Sequence, residues 1–291
     1  MIVSASRKTD IPAFYGDWFL NRLDAGFCMV RNPRGKPYRV SLRREDVEGF
    51  VFWTKDIGPF MDKLAIISQR GYPFVVQHTI NNYPAALEPH VPPAGASVQN
   101  MSKLGELYGP DAAVWRYDPI VVTPGITAEW HLANFSKLAE ALRGVANEAV
   151  ISFVDDYKKM ARNMALAGIP WSEPGREEKR RMASQLAAVA RENGMQLTMC
   201  CEGDFLPEGA LPSHCIDATR MGRVCGRPVR AKAKPDRPGC GCCDNRDIGE
   251  YDTCLHGCRY CYATNSLVAA QGRHRAHDPH GEMLIPPATG S

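Results

Sequence analysis

Three cysteines lie close together near the end of the sequence, in the stretch YDTCLHGCRYCYA. They are Cys254, Cys258 and Cys261, with the spacing C-x3-C-x2-C. Closely spaced thiolates of this kind are typical metal ligands. A zinc site, however, requires a fourth ligand and usually combines two C-x2-C elements or adds histidines. A [4Fe–4S] cluster held by three protein thiolates leaves one iron open for a small molecule. The spacing therefore predicts a three-cysteine [4Fe–4S] site, with zinc or fortuitous clustering as the alternatives.

The other cysteines indicate a second metal site. Ten of the 11 cysteines lie after residue 199. Because the cytosol keeps thiols reduced, disulfides are not the expected explanation for so many cysteines. The four predicted ligands of a closed site, either a second [4Fe–4S] cluster or structural zinc, are Cys200, Cys215, Cys240 and Cys242. Their neighbours Cys201 and Cys243 are predicted to be spectators, although either could replace a ligand. Cys28 lies in an apolar run and is predicted to be a small buried hydrophobe, whereas Cys225 has no assigned role.

The elements that must position these residues alternate between strand and helix. The chain has 291 residues, 44% hydrophobic and 23% charged, a composition typical of globular proteins with a sizeable core. Short apolar runs that suit buried parallel strands begin at Ile2, Phe27, Phe50, Phe74, Ala113, Ala149 and Gln196. Helical patterns lie between them, most clearly over 130–142 and 182–189. This alternation predicts an α/β fold, and a (β/α) barrel, complete or incomplete, is favoured over a doubly wound sheet.

Polar residues end each of these runs, and in a barrel they would converge on one mouth. The candidate catalytic residues are Lys55, Arg116, Asp118 and Glu202, and the candidate cofactor contacts from the strands are Arg7 and Gln77. Arg116 and Asp118 flank Tyr117, so an extended chain would put both on the same side. His78 also lies beside a strand, but we interpret it as a packing residue rather than a ligand.

After residue 204 the sequence becomes rich in proline, glycine and cysteine and loses its periodicity. We therefore predict two regions, a (β/α) barrel over 1–204 and an irregular Cys-rich iron–sulfur region over 205–291 that closes the barrel mouth. The second region contains seven basic residues, Arg220, Arg223, Arg227, Arg230, Lys232, Lys234 and Arg237. A solvated basic loop is the favoured interpretation, and an electrostatic binding site for an anionic substrate or for nucleic acid is the alternative. The net charge of +3 is too small to argue for nucleic acid by itself.

The segment CLHGCRYCYA resembles the cluster loop of the radical S-adenosylmethionine (SAM) superfamily, including the aromatic Tyr260 before the last cysteine. That resemblance implies that the open iron binds the amino and carboxylate groups of SAM, which stacks near Tyr260. It also implies that an electron from the cluster cleaves a C–S bond. The expected product is a 5′-deoxyadenosyl radical that abstracts hydrogen, with transfer of an aminocarboxypropyl group as the alternative.

The whole chain also resembles a bacterial family of unknown function with a radical-SAM-like cysteine cluster at its C-terminus. The matching segments include SASRKTDIPAFY, VFWTK, WRYDPI, SFVDDYKK and CGCCDNRDIGEYDTCLHGCRYCYA, and together the matches span residues 3 to 263. Ordinary superfamily members carry the cysteine triplet after the first strand, whereas this chain carries it after the seventh predicted strand. A barrel whose chain ends meet in space could accommodate that permutation. The glycine-rich SAM segment of many members is not recognisable here.

We therefore expect a cytoplasmic radical-SAM enzyme that acts on a small molecule or peptide and takes electrons from a partner such as flavodoxin or ferredoxin. No run of 18 apolar residues is present, so no membrane association is expected. A nucleic-acid-binding module is one alternative, which would use the basic residues with Tyr251, Tyr260 and Tyr262. An electron-transfer protein is another, in which Cys243 would fill the fourth ligand position.

Overall fold

The structure of the protein is a computed structural model that describes residues 1–235 and 237–286. Its strands are β1 (Ile2–Ala5), β2 (Phe27–Arg31), β3 (Pro37–Ser41), β4 (Gly49–Thr54), β5 (Phe74–Thr79), β6 (Ala113–Ile120), β7 (Glu148–Phe153), β8 (Gln196–Met199), β9 (Leu211–Pro212) and β10 (Asn245–Asp247). Its helices are α1 (Ile11–Phe14), α2 (Gly16–Ala25), α3 (Met61–Gln69), α4 (Ala94–Tyr108), α5 (Ala128–Ala141), α6 (Lys158–Leu166), α7 (Arg176–Glu192), α8 (Ala218–Cys225) and α9 (Leu267–Arg275). Single 3₁₀ turns lie at Gly58–Phe60 and Gly203–Phe205.

Eight of these strands form one parallel sheet in the order β10-β1-β4-β5-β6-β7-β8-β9. From β1 to β9 each strand lies beside the next sheet strand of the chain, and helices lie in most of the connections, as parallel neighbours require. Strand β10 pairs with the outer edge of β1, where Ser4 lies opposite Asp247. Within residues 1–235 and 237–286, β9 and β10 each pair on one side only. The prediction of an α/β fold is confirmed.

One predicted parallel strand takes a different place. The run that begins at Phe27 is β2, which pairs with β3 in a separate antiparallel hairpin. The prediction that it belongs to the parallel succession is wrong. Its side chains alternate between buried and half-buried, with Cys28 and Val30 turned inward. That period of two is typical of a strand with one wet face rather than of a strand covered on both faces.

The two faces of the sheet pack against different parts of the chain. Phe50 and Phe52 of β4 lie in the main core with the helices, whereas Val51 lies in a second core on the opposite face. The same alternation separates Trp115 from Val114 on β6, as the period of an extended chain requires. The second core is completed by α8 and by cysteines from the segment after β8. The sheet therefore has one face covered by the helices of the main core, and a second face, here called the cysteine-lined face, covered by α8 and these cysteines.

The two clearest predicted helices are present. Helix α5 begins at an N-cap, Thr127, whose side chain accepts a hydrogen bond from the backbone N–H of Trp130. Helix α7 is followed by Gly194, which has a positive φ of 76°. Within α5, His131 is fully buried: its Nδ1 lies 2.8 Å from the Tyr117 hydroxyl, and its Nε2 lies 3.0 Å from a backbone carbonyl. Burial lowers the pKa of His131 to about 4.

The region after residue 204 is more regular than its composition predicts. It contributes α8, α9 and two short strands, β9 and β10, that belong to the same sheet as the first region. The predicted boundary between 204 and 205 falls within the 3₁₀ turn Gly203–Phe205, and residues 287–291 of the predicted second region lie outside the described residues. Among the helices described, none has the length and apolar character needed to cross a membrane.

Candidate functional site

The loop that carries Cys254, Cys258 and Cys261, here called the loop cysteines, follows β10 and docks at the carboxyl ends of β1, β4 and β5. Its first anchor is His256, whose Nε2 lies 2.7 Å from Asp10 Oδ2 in a fully buried contact. The same carboxylate oxygen accepts hydrogen bonds from the Thr54 hydroxyl at 3.0 Å and from the Lys55 backbone N–H at 2.8 Å. Its other oxygen accepts from the backbone N–H of Ala13 at 2.9 Å and caps α1. One carboxylate thus connects α1 and the end of β4 to the loop.

A tight backbone turn brings the loop against the connection after β5. Gly257 has a φ of +69°, and a Cβ placed there would lie 3.2 Å from the Pro89 side chain. Only glycine adopts this conformation at little cost. The neighbouring backbone of His256 accepts a hydrogen bond from His90 N–H at 3.2 Å. The glycine of the motif CLHGC therefore serves a packing need in addition to a conformational one.

The second half of the loop is anchored by Tyr260. Its hydroxyl donates a hydrogen bond to the Glu88 carboxylate and accepts one from Asn81 Nδ2 at 3.1 Å. Lys55 Nζ lies 2.7 Å from the same carboxylate, and its side chain is 14% exposed. Burial alone would lower the pKa of Lys55, but the charges of Glu88 and Cys258 raise it. Lys55 is therefore a fixed positive charge beside the loop cysteines.

The loop cysteines are half-buried and interact with one another electrostatically. Burial raises the pKa of Cys254, and the charges of Asp10, Cys261 and Cys258 raise it further. Burial likewise raises the pKa of Cys258, which Lys55 opposes. In residues 1–235 and 237–286, no three His, Cys, Asp or Glu side chains converge as ligands of a single metal ion.

The donor set of this loop fits a sulfur-ligated cluster. It offers three thiols within eight residues, and a four-iron cluster is larger than a single ion and takes thiolates as its ligands. Three buried polar atoms in or beside the loop have no hydrogen-bond partner, Thr9 Oγ1, Arg259 Nε and Thr264 Oγ1. Since buried polar groups are normally paired, these atoms retain capacity for a bound group.

Within β6, the buried Arg116 forms an ion pair with the half-buried Asp118. Arg116 Nη2 lies 2.6 Å from Asp118 Oδ2, and its Nη1 donates to Gln77 Oε1 at 3.2 Å and to Cys215 Sγ at 3.1 Å. Its guanidinium lies 5.0 Å from the centre of the Trp53 ring. Burial would lower the pKa of Arg116, but Asp118 and then Cys215 raise it well above its usual value. The predicted pair is thus brought together, and it also contacts a cysteine of the second predicted set.

The remaining predicted site residues lie at neighbouring strand ends. Arg7 contacts Asp247 of β10 through its backbone N–H at 3.0 Å, and its guanidinium lies 5.9 Å from the Trp53 ring centre. Glu202 accepts a hydrogen bond from Phe153 N–H at 3.1 Å, and burial raises its pKa. Gln77 donates through Nε2 to the Cys215 carbonyl at 3.1 Å. Gln77 therefore lies beside the second cysteine set and not at the loop cysteines.

The second cysteine set lies on the cysteine-lined face of the sheet. We call it the sheet-face cysteines: Cys200, Cys201, Cys215, Cys240 and Cys242. Cys215 Sγ lies 3.8 Å from Cys200 Sγ, which in turn lies 3.9 Å from Cys201 Sγ. Cys201 was predicted to be a spectator, yet Arg237 Nε donates to its sulfur at 3.0 Å, and its pKa is lowered to about 6, mostly by Cys200 and also by Arg237. Cys243 is half-buried and packs against the same core.

The basic residues of 220–237 are mostly paired with acidic ones. Arg220 is buried, with Glu148 at 2.6 Å, and the half-exposed Arg223 lies 3.0 Å from Asp111. Three further pairs are Arg227–Glu48, Lys234–Asp244 and Arg237–Asp155. Of the tyrosines considered for base stacking, Tyr260 is buried, while Tyr251 and Tyr262 are each 45% exposed. These pairings leave little free positive charge for a polyanion.

Three residues weighed in the sequence have packing positions. His78 is fully buried on β5, with no hydrogen-bond partner in the described chain for either ring nitrogen, and burial lowers its pKa to about 4. Cys28 is fully buried in the main core, and burial raises its pKa to about 12. Cys225 ends α8 and contacts the Gly222 carbonyl at 3.6 Å.

Three residues of the site were not selected from the sequence: Asn81, Glu88 and His256. Asp10 does belong to the polar residues that follow the first apolar run. His256 lies inside the cysteine motif, but its spacing is not that of a metal ligand. Asn81 and Glu88 lie in a long irregular connection, and the Tyr260–Glu88 contact joins residues 172 positions apart.

The fold and this site define a class: an α/β protein with a parallel sheet and a cysteine-rich loop at the carboxyl edge of its strands. The chain belongs to the family described as Domain of unknown function (DUF1848), whose family model matches residues 2–263. A search among curated proteins found no significant match.

Proposed function

We propose that the protein is a non-canonical radical-SAM enzyme in which Cys254, Cys258 and Cys261 hold a [4Fe–4S] cluster that cleaves SAM reductively. The observation that carries this proposal is the docking of a three-thiol loop at the carboxyl edge of a parallel sheet, on buried charged groups from neighbouring strands. Such a cluster supplies one electron and an open iron position. The resemblance of CLHGCRYCYA to the radical-SAM loop supplies the chemistry.

We also propose that the sheet is an incomplete (β/α) barrel, permuted relative to ordinary radical-SAM barrels. The supporting observation is that β10 lies beside β1, so the cluster loop leaves the sheet next to the first strand although it is late in the chain. Ordinary members reach that position directly after the first strand. In this chain the cluster loop therefore reaches the barrel mouth from a strand near the end of the sequence instead of from the first strand.

The protein groups around the loop have separable roles in this proposal. Asp10 and His256 fix the first half of the loop, and Glu88 with Asn81 fixes Tyr260 in the second half. Because the hydroxyl of Tyr260 is held by Glu88 and Asn81 and its side chain is buried, its role is to hold the second half of the loop.

Lys55 and Arg116 are the fixed cations at this mouth. Lys55 offsets the negative charge of the thiolates. Arg7, Arg116, Asp118 and Glu202 are the charged groups at adjacent strand ends that would meet SAM or substrate, a small molecule or peptide. Two cation positions and two carboxylate positions suit ligands that carry both an amine and a carboxylate.

The test is anaerobic reconstitution with iron and sulfide, followed by electron paramagnetic resonance (EPR) of the dithionite-reduced protein with and without SAM. We expect a [4Fe–4S]⁺ signal that SAM shifts, and we expect the variant Cys254→Ala/Cys258→Ala/Cys261→Ala to lose the SAM-sensitive signal. Cys225→Ala, outside both cysteine sets, is the matched control and keeps it. Chromatography of the reaction then separates 5′-deoxyadenosine, the expected product, from the methylthioadenosine that aminocarboxypropyl transfer would leave. A cluster signal indifferent to SAM would contradict the proposal.

A further inference from the structure

Three of the sheet-face cysteines, here called the sulfur row, have their sulfur atoms in contact. Cys200 Sγ lies 3.9 Å from Cys201 Sγ on one side and 3.8 Å from Cys215 Sγ on the other. Heavy atoms this close are in van der Waals contact, whereas the ligands of a [4Fe–4S] cluster are farther apart because each binds a different iron. The sulfur row is therefore better suited to a bond between two of its sulfurs than to a cluster.

Hydrogen bonds to the sheet hold these sulfurs beside one another. Cys200 directly follows β8, and its N–H donates to the Ile151 carbonyl of β7 at 2.9 Å. Cys215 follows β9, and its carbonyl accepts from Gln77 Nε2 at 3.1 Å. Successive residues of an extended strand would point to opposite faces, but Cys201 has a φ of +61°. The chain turns at this residue, and its sulfur contacts that of Cys200 for this reason.

An arginine donates a hydrogen bond to the sulfur at each end of the row. Arg237 Nε lies 3.0 Å from Cys201 Sγ, and Arg116 Nη1 lies 3.1 Å from Cys215 Sγ. A neighbouring arginine stabilises the thiolate, which is the form of cysteine that attacks a disulfide and that leaves when a disulfide is attacked. Both ends of the sulfur row are therefore suited to thiol–disulfide exchange.

Access to solvent differs along the row. Cys200 and Cys201 are half-buried, whereas Cys215 is buried and packs in the second core. The side chain of Arg237, which contacts Cys201, is 40% exposed, so this end of the row borders on water. An incoming disulfide can therefore reach Cys201, while Cys215 is shielded from it.

We propose that the sulfur row is a thiol–disulfide exchange site, in which Cys201 reacts with a small-molecule disulfide and Cys200 and Cys215 end as a disulfide. The Cys201 thiolate attacks the incoming disulfide, forms a mixed disulfide with one half of it and releases the other half as a thiol. Cys200 attacks the Cys201 sulfur and releases the second half. Cys215 then attacks Cys200 and releases the Cys201 thiolate. Cys200 and Cys215 lose two electrons and two protons, and the small disulfide gains them as two thiols.

The experiment maps disulfides in the full chain after anaerobic incubation with oxidised glutathione. Free thiols are alkylated, and the protein is digested with trypsin and Glu-C endoproteinase. Cleavage after glutamate places Cys200 and Cys201 in the peptide 193–202 and Cys215 in the peptide 209–220. We expect mass spectrometry to find these two peptides linked after oxidation and separate after reduction with dithiothreitol.

The linkage map of the unmodified protein decides the main point without any substitution. If the peptide 209–220 stays unlinked, or is linked instead to the peptide that carries Cys240 and Cys242, the exchange site is refuted.

Variants test the order of the steps. Cys201→Ser should slow formation of the link by about tenfold or more, because the first attacking thiolate is absent. Cys215→Ser should stop at the bond between Cys200 and Cys201, which makes the peptide 193–202 lighter by two hydrogen atoms. Cys225→Ser, which replaces another half-buried cysteine, is the matched control and should keep the unmodified rate. If Cys201→Ser forms the link as fast as the control, Cys201 is not the thiol that reacts first, and the proposed order is wrong.

The exchange site and the proposed function can be tested apart. The variant Cys254→Ala/Cys258→Ala/Cys261→Ala lacks the loop cysteines and should form the link at the unmodified rate. Loss of the link in that variant would overturn the exchange site. If the unmodified protein forms the link but shows no SAM-sensitive EPR signal, the proposed function fails while the exchange site stands.

Discussion

Substituting Asp10 by Asn tests whether one buried carboxylate holds the cluster loop to the sheet. Oδ2 of Asp10 accepts three hydrogen bonds, from Thr54, Lys55 and His256, and Oδ1 accepts the capping bond of α1. An asparagine can keep its single oxygen toward the three donors, but its NH2 group then faces the Ala13 N–H, so the cap is lost.

The expected loss in the free energy of unfolding follows from the number of hydrogen bonds that are weakened or lost. A hydrogen bond to a charged acceptor contributes about 1 kcal/mol more than one to a neutral acceptor, so three weakened bonds cost about 3 kcal/mol. The lost cap costs about 1 kcal/mol more. The sum is about 4 kcal/mol, which for a chain of this size corresponds to a fall in Tm of roughly 8 °C. Because His256 loses its charged partner, we also expect less iron bound at the loop cysteines.

The assay is thermal unfolding followed by circular dichroism, with iron counted on the same samples. Asp17→Asn is the matched control, since Asp17 lies in the first turn of α2 with its side chain 80% exposed and paired to Lys63 at 3.0 Å. We expect that surface change to cost less than about 1 kcal/mol. A fall in Tm of less than about 2 °C for Asp10→Asn, or equal effects of the two substitutions, would refute the reasoning.

Three further expectations concern the stability of the protein and the amount of iron bound at the loop cysteines. His131 has a pKa of about 4 in the folded state against about 6.5 unfolded, so its contribution is complete above about pH 6.5 and is lost as the pH falls towards 4. Between about pH 7 and pH 5 the free energy of unfolding should therefore fall by about 2 kcal/mol on account of His131. Urea titrations at the two pH values should show that this fall is missing in His131→Gln. If the variant loses as much stability as the unmodified protein, the expectation is wrong. Gly257→Ala should cost about 1–2 kcal/mol and reduce loop iron, while Gly35→Ala, with a similar φ of +79° but open space around it, should leave the iron count intact. Arg220→Met leaves Glu148 without its buried partner and should cost about 3 kcal/mol in chemical denaturation, against less than about 1 kcal/mol for the exposed Arg223→Met. Similar costs would show that burial is not the deciding factor.

The main strands could be predicted because they are buried on both faces and so lack polar interruptions. The runs at Phe50 and Ala149 are unambiguous for this reason. Helix α5 is equally clear because of its cap at Thr127. Strand β2 has the same apolar content, but its partner is decided by the hairpin with β3 and not by its own sequence. Strands β9 and β10 are two and three residues long and leave almost no periodic signal. Their existence depends on the edges of the sheet that they cover.

In the candidate site, too, the residues with a local sequence signal could be predicted and those without one could not. Cysteine spacing carries local information, so the loop cysteines could be proposed from the sequence. The groups that hold the loop could not, because their partners are brought together only by the fold. Glu88 has no local feature that sets it apart from any loop glutamate. Gln77, a predicted cofactor contact, has its side chain between Arg116 and the Cys215 carbonyl, because residues on a strand alternate between the two faces.

The pairing of β10 with β1 also determines when the site can form. Ser4 and Asp247 are register partners separated by 243 positions, so the edge of the sheet remains uncovered until nearly the whole chain has been synthesised. Contacts of such high sequence separation form late, because the entropy of closing the loop must be overcome first. The cluster loop begins directly after β10 and docks on strands completed much earlier. On the proposed function, we therefore expect the loop thiols to bind iron only after the strands on which the loop docks have paired.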